Sequence, residues 1–221
     1  MPAGGCSTPR PDMTRTLLFG GTFDPVHIGH LVGARIACEI LSLDRVLFIP
    51  AHASPHKPGE GVAADAAHRL TMLRLAVQDE TALGVCDLEL RRPPPSYTWD
   101  TLQALREKFP GDQFTLLLGA DQLPLLHTWH HGEELFAGVA VAVLPRTGSD
   151  ASIPSPPLAA ALWEKIRGGL LATPRLEISS TMIRNRLRAG LSIRHLTPSA
   201  VEAYILRHGL YEILPENQAR D

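Results

Sequence analysis

The sequence is poor in cysteine. Its 221 residues hold three, at positions 6, 38 and 86, and no two form a CxxC pair. An odd number at wide spacing supplies neither a disulfide framework nor a zinc knuckle. Two nucleotide-binding signatures are also missing. No GxGxxG follows the first strand candidate, and no GxxxxGK followed by Ser or Thr occurs anywhere, which disfavours a dinucleotide-dependent dehydrogenase and a P-loop NTPase. There is no charge excess either: 21 basic residues face 23 acidic ones, for a net charge of −2. General affinity for nucleic acid or for acidic membranes is therefore not expected. The longest apolar run, around residues 139–144, is far too short to span a bilayer. The opening residues MPAGGCSTPRPD lack the apolar stretch of a signal peptide. These absences together read as a cytoplasmic protein.

What is present fits one large α/β domain. Apolar residues make up 44% of the chain, and mean hydropathy is near zero, enough for a sizeable core. Residues 1–14 are rich in Pro, Gly and Ser and read as a disordered tail, with Met13 an alternative start. Residues 15–214 form the domain, and 215–221 a second tail. Continuous apolar strands are expected at 17–19, 45–49, 114–118 and 139–144, and 83–90 is strand-like. Helices are expected at 28–41, where Ile28, Val32, Ile36 and Ile40 form an i+4 stripe toward the sheet, and at 65–77, with Leu70, Leu73 and Val77 inward. A further helix covers 98–108, after the Pro93–Pro95 break. Residues 148–157 read as a mobile connection, and 178–211 as mostly helical. Strands apolar throughout and separated by helices predict a doubly wound, mostly parallel sheet covered on both faces, a Rossmann-like arrangement.

The most informative stretch is GGTFDPVHIGH at 20–30. A strand runs into Gly20-Gly21, turns through Thr22-Phe23-Asp24-Pro25 and opens a helix carrying His27 and His30. Glycines without a Cβ let the backbone approach a ligand. A helix N-terminus offers N–H groups and a positive dipole end, which suit phosphate. His27 and His30 share one face of the first turn and can donate to phosphoryl oxygens. The stretch resembles the (H/T)xGH signature of the nucleotidyltransferase superfamily, in which an NTP is attacked at its α-phosphorus.

In a doubly wound sheet, ligands bind beyond the carboxyl ends of the strands. Polar motifs should therefore follow strands, and here they do. SPHK stands at 54–57, SYTWDTL at 96–102, GADQLPLLHTW at 119–129 and ISSTMIRNR at 178–186. In the last block Ser180 and Thr181 are candidate N-caps, with Arg184 one turn on; a capped helix start beside Arg is also a phosphate site. In order, the five blocks resemble the bacterial nicotinate-nucleotide adenylyltransferase family, whose pattern runs GGTFDPxHxGH, PPHK, SYTxDTL, GxD with a later Trp, and ISSTxIRxR. The likeness covers residues 15 to about 212. Ser54 stands where that family's first PPHK proline is usual, which touches loop stiffness more than chemistry.

The resemblance implies a reaction joining ATP and nicotinic acid mononucleotide to give deamido-NAD and pyrophosphate, in NAD biosynthesis. The mononucleotide phosphate attacks in line, without a covalent enzyme intermediate. It assigns His27 and His30 to catalysis. ATP is met by Gly20, Gly21, Thr22, Phe23, His27, His30, Lys57, Ser180, Thr181 and Arg184. The mononucleotide falls to Tyr97 and Thr98 (backbone N–H to the nicotinate carboxylate), Asp121 (a ribose) and Trp129 (stacking on the pyridine). Mg2+ is carried mainly by the ATP phosphates; no protein metal site is expected, and Asp24 either caps the helix or stands nearest the metal. Nucleic acid and membrane are not expected partners, and oligomeric state stays open. Sister nucleotidyltransferases acting on phosphopantetheine or glycerol phosphate lack SYT-DTL. A class I aminoacyl-tRNA synthetase shares His27-Ile28-Gly29-His30 but needs a KMSKS-like loop and an RNA-binding domain, and neither is found. A non-catalytic nucleotide sensor would be favoured by loss of either histidine, and both are present.

Overall fold

The computed structural model describes residues 13–52, 63–145 and 156–211. Its centre is a sheet of five parallel strands: β1 (Arg15–Gly21), β2 (Arg45–Pro50), β3 (Leu83–Val85), β4 (Gln113–Gly119) and β5 (Ala140–Leu144), in the order β3-β2-β1-β4-β5. The chain winds outward from β1 through β2 to β3, then returns to β1's other side for β4 and β5. The switch point of this doubly wound sheet therefore lies between β1 and β4, where Leu18 pairs with Leu116.

Pleating divides the strand side chains between two cores. Leu17, Phe19, Val46, Phe48 and Leu117 enter one, with helices α1 (Ile28–Ile40), α2 (Ala66–Val77), α6 (Ser180–Arg188) and α7 (Ser199–Arg207). Leu18, Leu47, Ile49, Leu116 and Leu118 enter the other, with α3 (Thr98–Lys108), α4 (Gly132–Gly138) and α5 (Ala160–Arg167). Both faces of the sheet are covered, as continuous apolar strands require. Among the described residues no helix is long and apolar enough to cross a membrane. Thr14, which composition puts in the leading tail, is already tied to the sheet: its carbonyl accepts from the Gln113 N–H at 3.0 Å.

Several expected details change. The Ile28-Val32-Ile36-Ile40 stripe does not face the sheet. Ala34, Ala37 and Cys38 are the buried residues of α1, and Ile40 is 48% exposed. Four residues overshoot a full turn of about 3.6 residues, so an i+4 series drifts round the helix. Small side chains instead let α1 lie close on the sheet; a Cβ at Gly33 would stand 2.9 Å from a Leu144 methyl. In α2, Arg69 and Met72 join Leu73 and Val77 inside, whereas Leu70 is half-buried. The strand-like reading of 83–90 shrinks to three residues. A 3-10 turn follows at Glu89–Arg91, where the Asp87 carboxylate draws in Arg74 and Arg91. The 178–211 region is two helices with an extended lead-in. The 3-10 turn Ala120–Thr128, α4 and α5 carried no clear period. Residues 148–157 lie mostly outside the described residues.

Candidate active site

The motif at 20–30 sits where β1 ends, at the switch point. Gly20 has open space where a Cβ would be, so a ligand can approach the backbone there; at Gly21 a Cβ would meet the Phe23 ring at 3.0 Å. Phe23 itself is 2% exposed and turns its backbone into the left-handed region at φ 50°. Its ring plugs the core against Phe19 and Phe48 and stands 5.0 Å edge-on from the His30 ring. The side chain of Phe23 is thus a floor beneath His30.

His27 is the N-cap residue of α1, and its ring lies stacked on His30, centroids 3.6 Å apart and 23° from parallel. The His27 backbone N–H donates to His30 Nδ1 at 3.3 Å. An accepting Nδ1 places the His30 proton on Nε2, the nitrogen that can then donate onward. Gly29 makes the stack feasible: a Cβ there would come within 3.1 Å of the His27 ring.

Helix α6 closes on the same turn. Its N-cap is Ser179, whose hydroxyl accepts from the Met182 N–H at 3.1 Å; Ser180 and Thr181 already lie inside the helix. The Ser180 hydroxyl donates to the Pro25 carbonyl at 2.9 Å, which commits its one O–H. Arg184 reaches back, donating to the Asp24 carbonyl at 2.8 Å and to Thr181 Oγ1 at 3.2 Å. Two phosphate-type motifs far apart in the sequence, with Pro25 and Ser180 separated by 155 positions, meet here as one wall. Asp24 does not cap α1. Its carboxylate turns inward and accepts from the Ala63 and Ala64 N–H groups at 2.7 and 3.2 Å.

The SYTWDTL and GADQLPLLHTW motifs make a different surface. Tyr97 is the N-cap residue of α3, and its ring lies 4.4 Å from that of His130. Trp99 faces His131 at 5.3 Å. Trp129 is half-buried, packing its indole at 5.6 Å on Phe136 of α4. Behind Thr98 the turn is braced by a buried carboxylate: Glu89, 6% exposed, accepts from the Thr101 hydroxyl at 2.7 Å. Burial pushes the Glu89 carboxyl up, against the opposing pull of Thr101, Arg92 and Ser96. Ser96 Oγ also accepts from the His52 N–H at 3.1 Å, tying this turn to the loop after β2.

Asp121 begins the 3-10 turn after β4 and borders a cleft of about 370 Å³ with Pro145, Arg175, Leu176, Glu177, Ile178 and Ser179. The structure therefore groups Asp121 with the lead-in to α6, while Trp129 stands with α4. Lys57 lies outside the described residues. No cluster of three or more His, Cys, Asp or Glu side chains suited to a metal ion occurs among the described residues.

Residues 18–186 match the family model described as cytidylyltransferase-like. A Synechococcus protein (strain JA-3-3Ab), named a probable nicotinate-nucleotide adenylyltransferase, is 43% identical over 206 residues, covering 93% of this chain and 98% of its own. One from Thermus thermophilus, with the same name, is 43% identical over 197 residues, covering 88% and 97%. The chain belongs to the nicotinate-nucleotide adenylyltransferase family. The fold agrees with that of the Plasmodium falciparum nicotinic acid mononucleotide adenylyltransferase complexed with NaAD, at a TM-score of 0.72 and 20% identity over 90% of this chain and 97% of that one.

Within this adenylyltransferase framework, the motifs leave out residues that hold the site, Arg69 and Glu89 among them. Arg69 is 1% exposed, and its guanidinium donates to four carbonyls: Thr22 and Ala51 at 2.8 Å, Ala64 at 3.2 Å and His52 at 3.3 Å. It stitches the GGTFDP turn to the loop after β2. The available signal was its phase: Arg69 shares the inward face of α2 with Leu73 and Val77, where a cation needs a fixed set of acceptors.

Proposed function

We propose that this adenylyltransferase-family chain joins ATP to nicotinic acid mononucleotide, releasing pyrophosphate and forming deamido-NAD. The observation that carries the reading is the stacked His27–His30 pair at the start of α1, on the sheet's switch point, with Ser180 and Arg184 of α6 bound to the same turn. A phosphate oxygen of the mononucleotide attacks the ATP α-phosphorus; the P–O bond to the β-phosphate breaks, and its electrons leave with pyrophosphate. The attacking group is already an anion, so the protein needs no nucleophile of its own. Its work is positioning and stabilising charge. His30, with its proton on Nε2, donates to the α-phosphoryl oxygens, and His27 supports it in the stack. The backbone at Gly20, Gly21, Thr22 and Phe23 runs beside the nucleotide. The α6 N-terminus, Thr181 and Arg184 hold the β- and γ-phosphates. Ser180 contributes through its backbone N–H, since its hydroxyl is committed to Pro25. Mg2+, held mainly by the ATP phosphates rather than by side chains, would supply neutralisation of phosphate charge. Tyr97 and Thr98 meet the nicotinate carboxylate at the start of α3, Trp129 offers an aromatic face, and Asp121 takes a ribose. The enzyme would work in the cytoplasm, where ATP is at hand.

The test is pyrophosphate release from ATP in the presence of a panel of acceptors: nicotinic acid mononucleotide, its nicotinamide counterpart, other nucleoside monophosphates and phosphopantetheine. The expected winner is nicotinic acid mononucleotide. Release with phosphopantetheine alone, or with no acceptor, would sink the reading.

A further inference from the structure

The turn that carries the histidines is held by more than ATP binding requires. Thr22, Asp24 and Pro25 each give a carbonyl to a side chain from outside the turn: Arg69 of α2, and Arg184 and Ser180 of α6. The Asp24 side chain, 4% exposed, is the hub. Besides the Ala63 and Ala64 N–H groups, its Oδ1 accepts from the Tyr211 hydroxyl at 2.7 Å, across 187 residues of sequence. Tyr211 follows α7, is itself buried, and takes a left-handed backbone at φ 69°. Burial beside Asp24 pushes its phenol well above the ordinary tyrosine range, so it stays protonated and donates. A carboxylate is costly to bury, and three donors are the means of holding this one.

We propose that Tyr211 is a positioning residue for adenylyl transfer. Through Asp24 it fixes the direction in which the Asp24-Pro25-Val26-His27 segment leaves the turn, and so the placement of the stacked imidazoles. Asp24 lies three residues before His27, and its carbonyl is the one Arg184 holds. A shift of the carboxylate therefore moves both the histidine wall and the arginine wall. The segment after α7, remote in sequence from the GGTFDP turn, becomes part of the apparatus. This inference rests on the reaction proposed above.

The experiment is Tyr211→Phe, which removes one oxygen and keeps the ring, alongside Asp24→Asn and the double variant. Expected for Tyr211→Phe is a fall in kcat of roughly 10-fold, with KM for the mononucleotide unchanged, since small misplacements of reacting groups are amplified in rate. The double variant should lose no more than the worse single one, because both cut the same link. Folding is checked by circular dichroism at the assay temperature. A second readout is independent of turnover: nitrogen-edited NMR of the histidine rings, in which the His27 and His30 signals should shift in Tyr211→Phe while that of His195 stays. An enzyme that turns over a different acceptor would leave the NMR expectation standing and count only against the proposed reaction. Unmoved His27 and His30 signals, or wild-type kcat with the correct substrates, would overturn the positioning role.

Discussion

The two halves of the site are built by opposite means. On the side proposed for ATP, with the other proposed for the acceptor, hydrogen bonds are dense and mostly run from side chain to backbone: Arg69 takes four carbonyls, Arg184 and Ser180 one each, and Asp24 accepts from two amides. On the acceptor side, rings meet rings: Tyr97 with His130, Trp99 with His131, Trp129 with Phe136. The difference follows from what each half must hold. A triphosphate passing through a transition state needs donors fixed before charge develops, because electrostatic catalysis is lost when groups must reorganise. A flat pyridine needs faces, which tolerate sliding and discriminate little. The lesson is that rate should be fragile on one side and affinity graded on the other.

The largest break in that contrast should come from Arg69→Met. It takes the donor from four carbonyls, that of Ala64 buried and those of Thr22, Ala51 and His52 part-buried; a buried loss costs about 1–3 kcal/mol, and water offsets the part-buried ones. The urea midpoint should fall accordingly, and ATP should restore part of it. An unchanged midpoint would show that the clip is not what holds the turn.

Next in size is His30→Ala. It removes a donor to developing charge, for which about 10²-fold or more in kcat is usual. Stability should fall only modestly, by about 1 kcal/mol, for the lost cap that His30 gives the His27 N–H. Near-normal turnover in a folded variant removes His30 from the chemistry.

Arg184→Ala sharpens the boundary between the halves. Two effects coincide: loss of a phosphate partner, and loss of the bond to the Asp24 carbonyl. A charge-assisted contact is worth about 1.5–3 kcal/mol, so ATP affinity should fall by roughly tenfold or more and mononucleotide affinity should hold. Equal losses in separate titrations would contradict the division of labour.

How much of this was legible follows the same line. The motif blocks at 20–30 and 119–129 fall directly after β1 and β4 because each is short-range: glycines, a turn, a helix start; SYTWDTL follows a 3-10 turn, ISSTMIRNR opens α6 after α5, and SPHK lies outside the described residues. The histidine pair, the Gly20 opening and the α3 start stand where the pattern put them, and the α6 cap lies one residue before the expected one. What could not be read depends on long-range closure. Arg69 looks like a surface cation until the loop carbonyls arrive. Asp24 looks like a cap until residues 63 and 64 fold over it. Ser180 looks like the cap that Ser179 is, since a one-residue shift in a helix start changes no local preference. Glu89, in an alternating Asp-Leu-Glu-Leu stretch, reads as the polar face of a strand, whereas the 3-10 turn swings it inside. The α1 stripe failed because apolar bulk was weighed over small residues, and close helix–sheet contact selects the small ones.

A gentler test on the acceptor side is Trp129→Ala. Both mononucleotides present the same ring face, so both should bind more weakly, by about 1–3 kcal/mol if the indole stacks on them as it does on bases. Their kcat/KM ratio should stay roughly constant. On the proposed reading, the choice between carboxylate and amide falls to the N–H groups at Tyr97 and Thr98, where the helix dipole favours an anion. A ratio that collapses in this variant places discrimination on the indole.

The smallest expected effect concerns Glu89, the buried carboxylate behind the aromatic half. Burial raises its folded pKa, and the hydrogen bonds from Thr101 and Ser96 only partly oppose this. An unfolded Glu titrates near about 4.3. Where the folded pKa is the higher one, the native state binds the proton more tightly, so the contribution to stability is fully present below the unfolded pKa and is lost as pH rises through the folded value. Glu89→Gln mimics the neutral form at every pH: its amide oxygen can still accept from Thr101, and no charge is buried. The variant and the wild type should therefore be nearly equal in stability at about pH 4. The variant should then gain on the wild type as pH rises toward about 8, with the gap set by the raised pKa. Urea midpoints at about pH 5 and about pH 8 measure it directly, since the slope of the unfolding curve should not change. A gap that is constant with pH would mean that Glu89 does not titrate differently on folding. A gap that shrinks as pH rises would mean that its carboxylate is stabilised by the native state, and that the acceptor turn, like the ATP side, is organised around a buried charge.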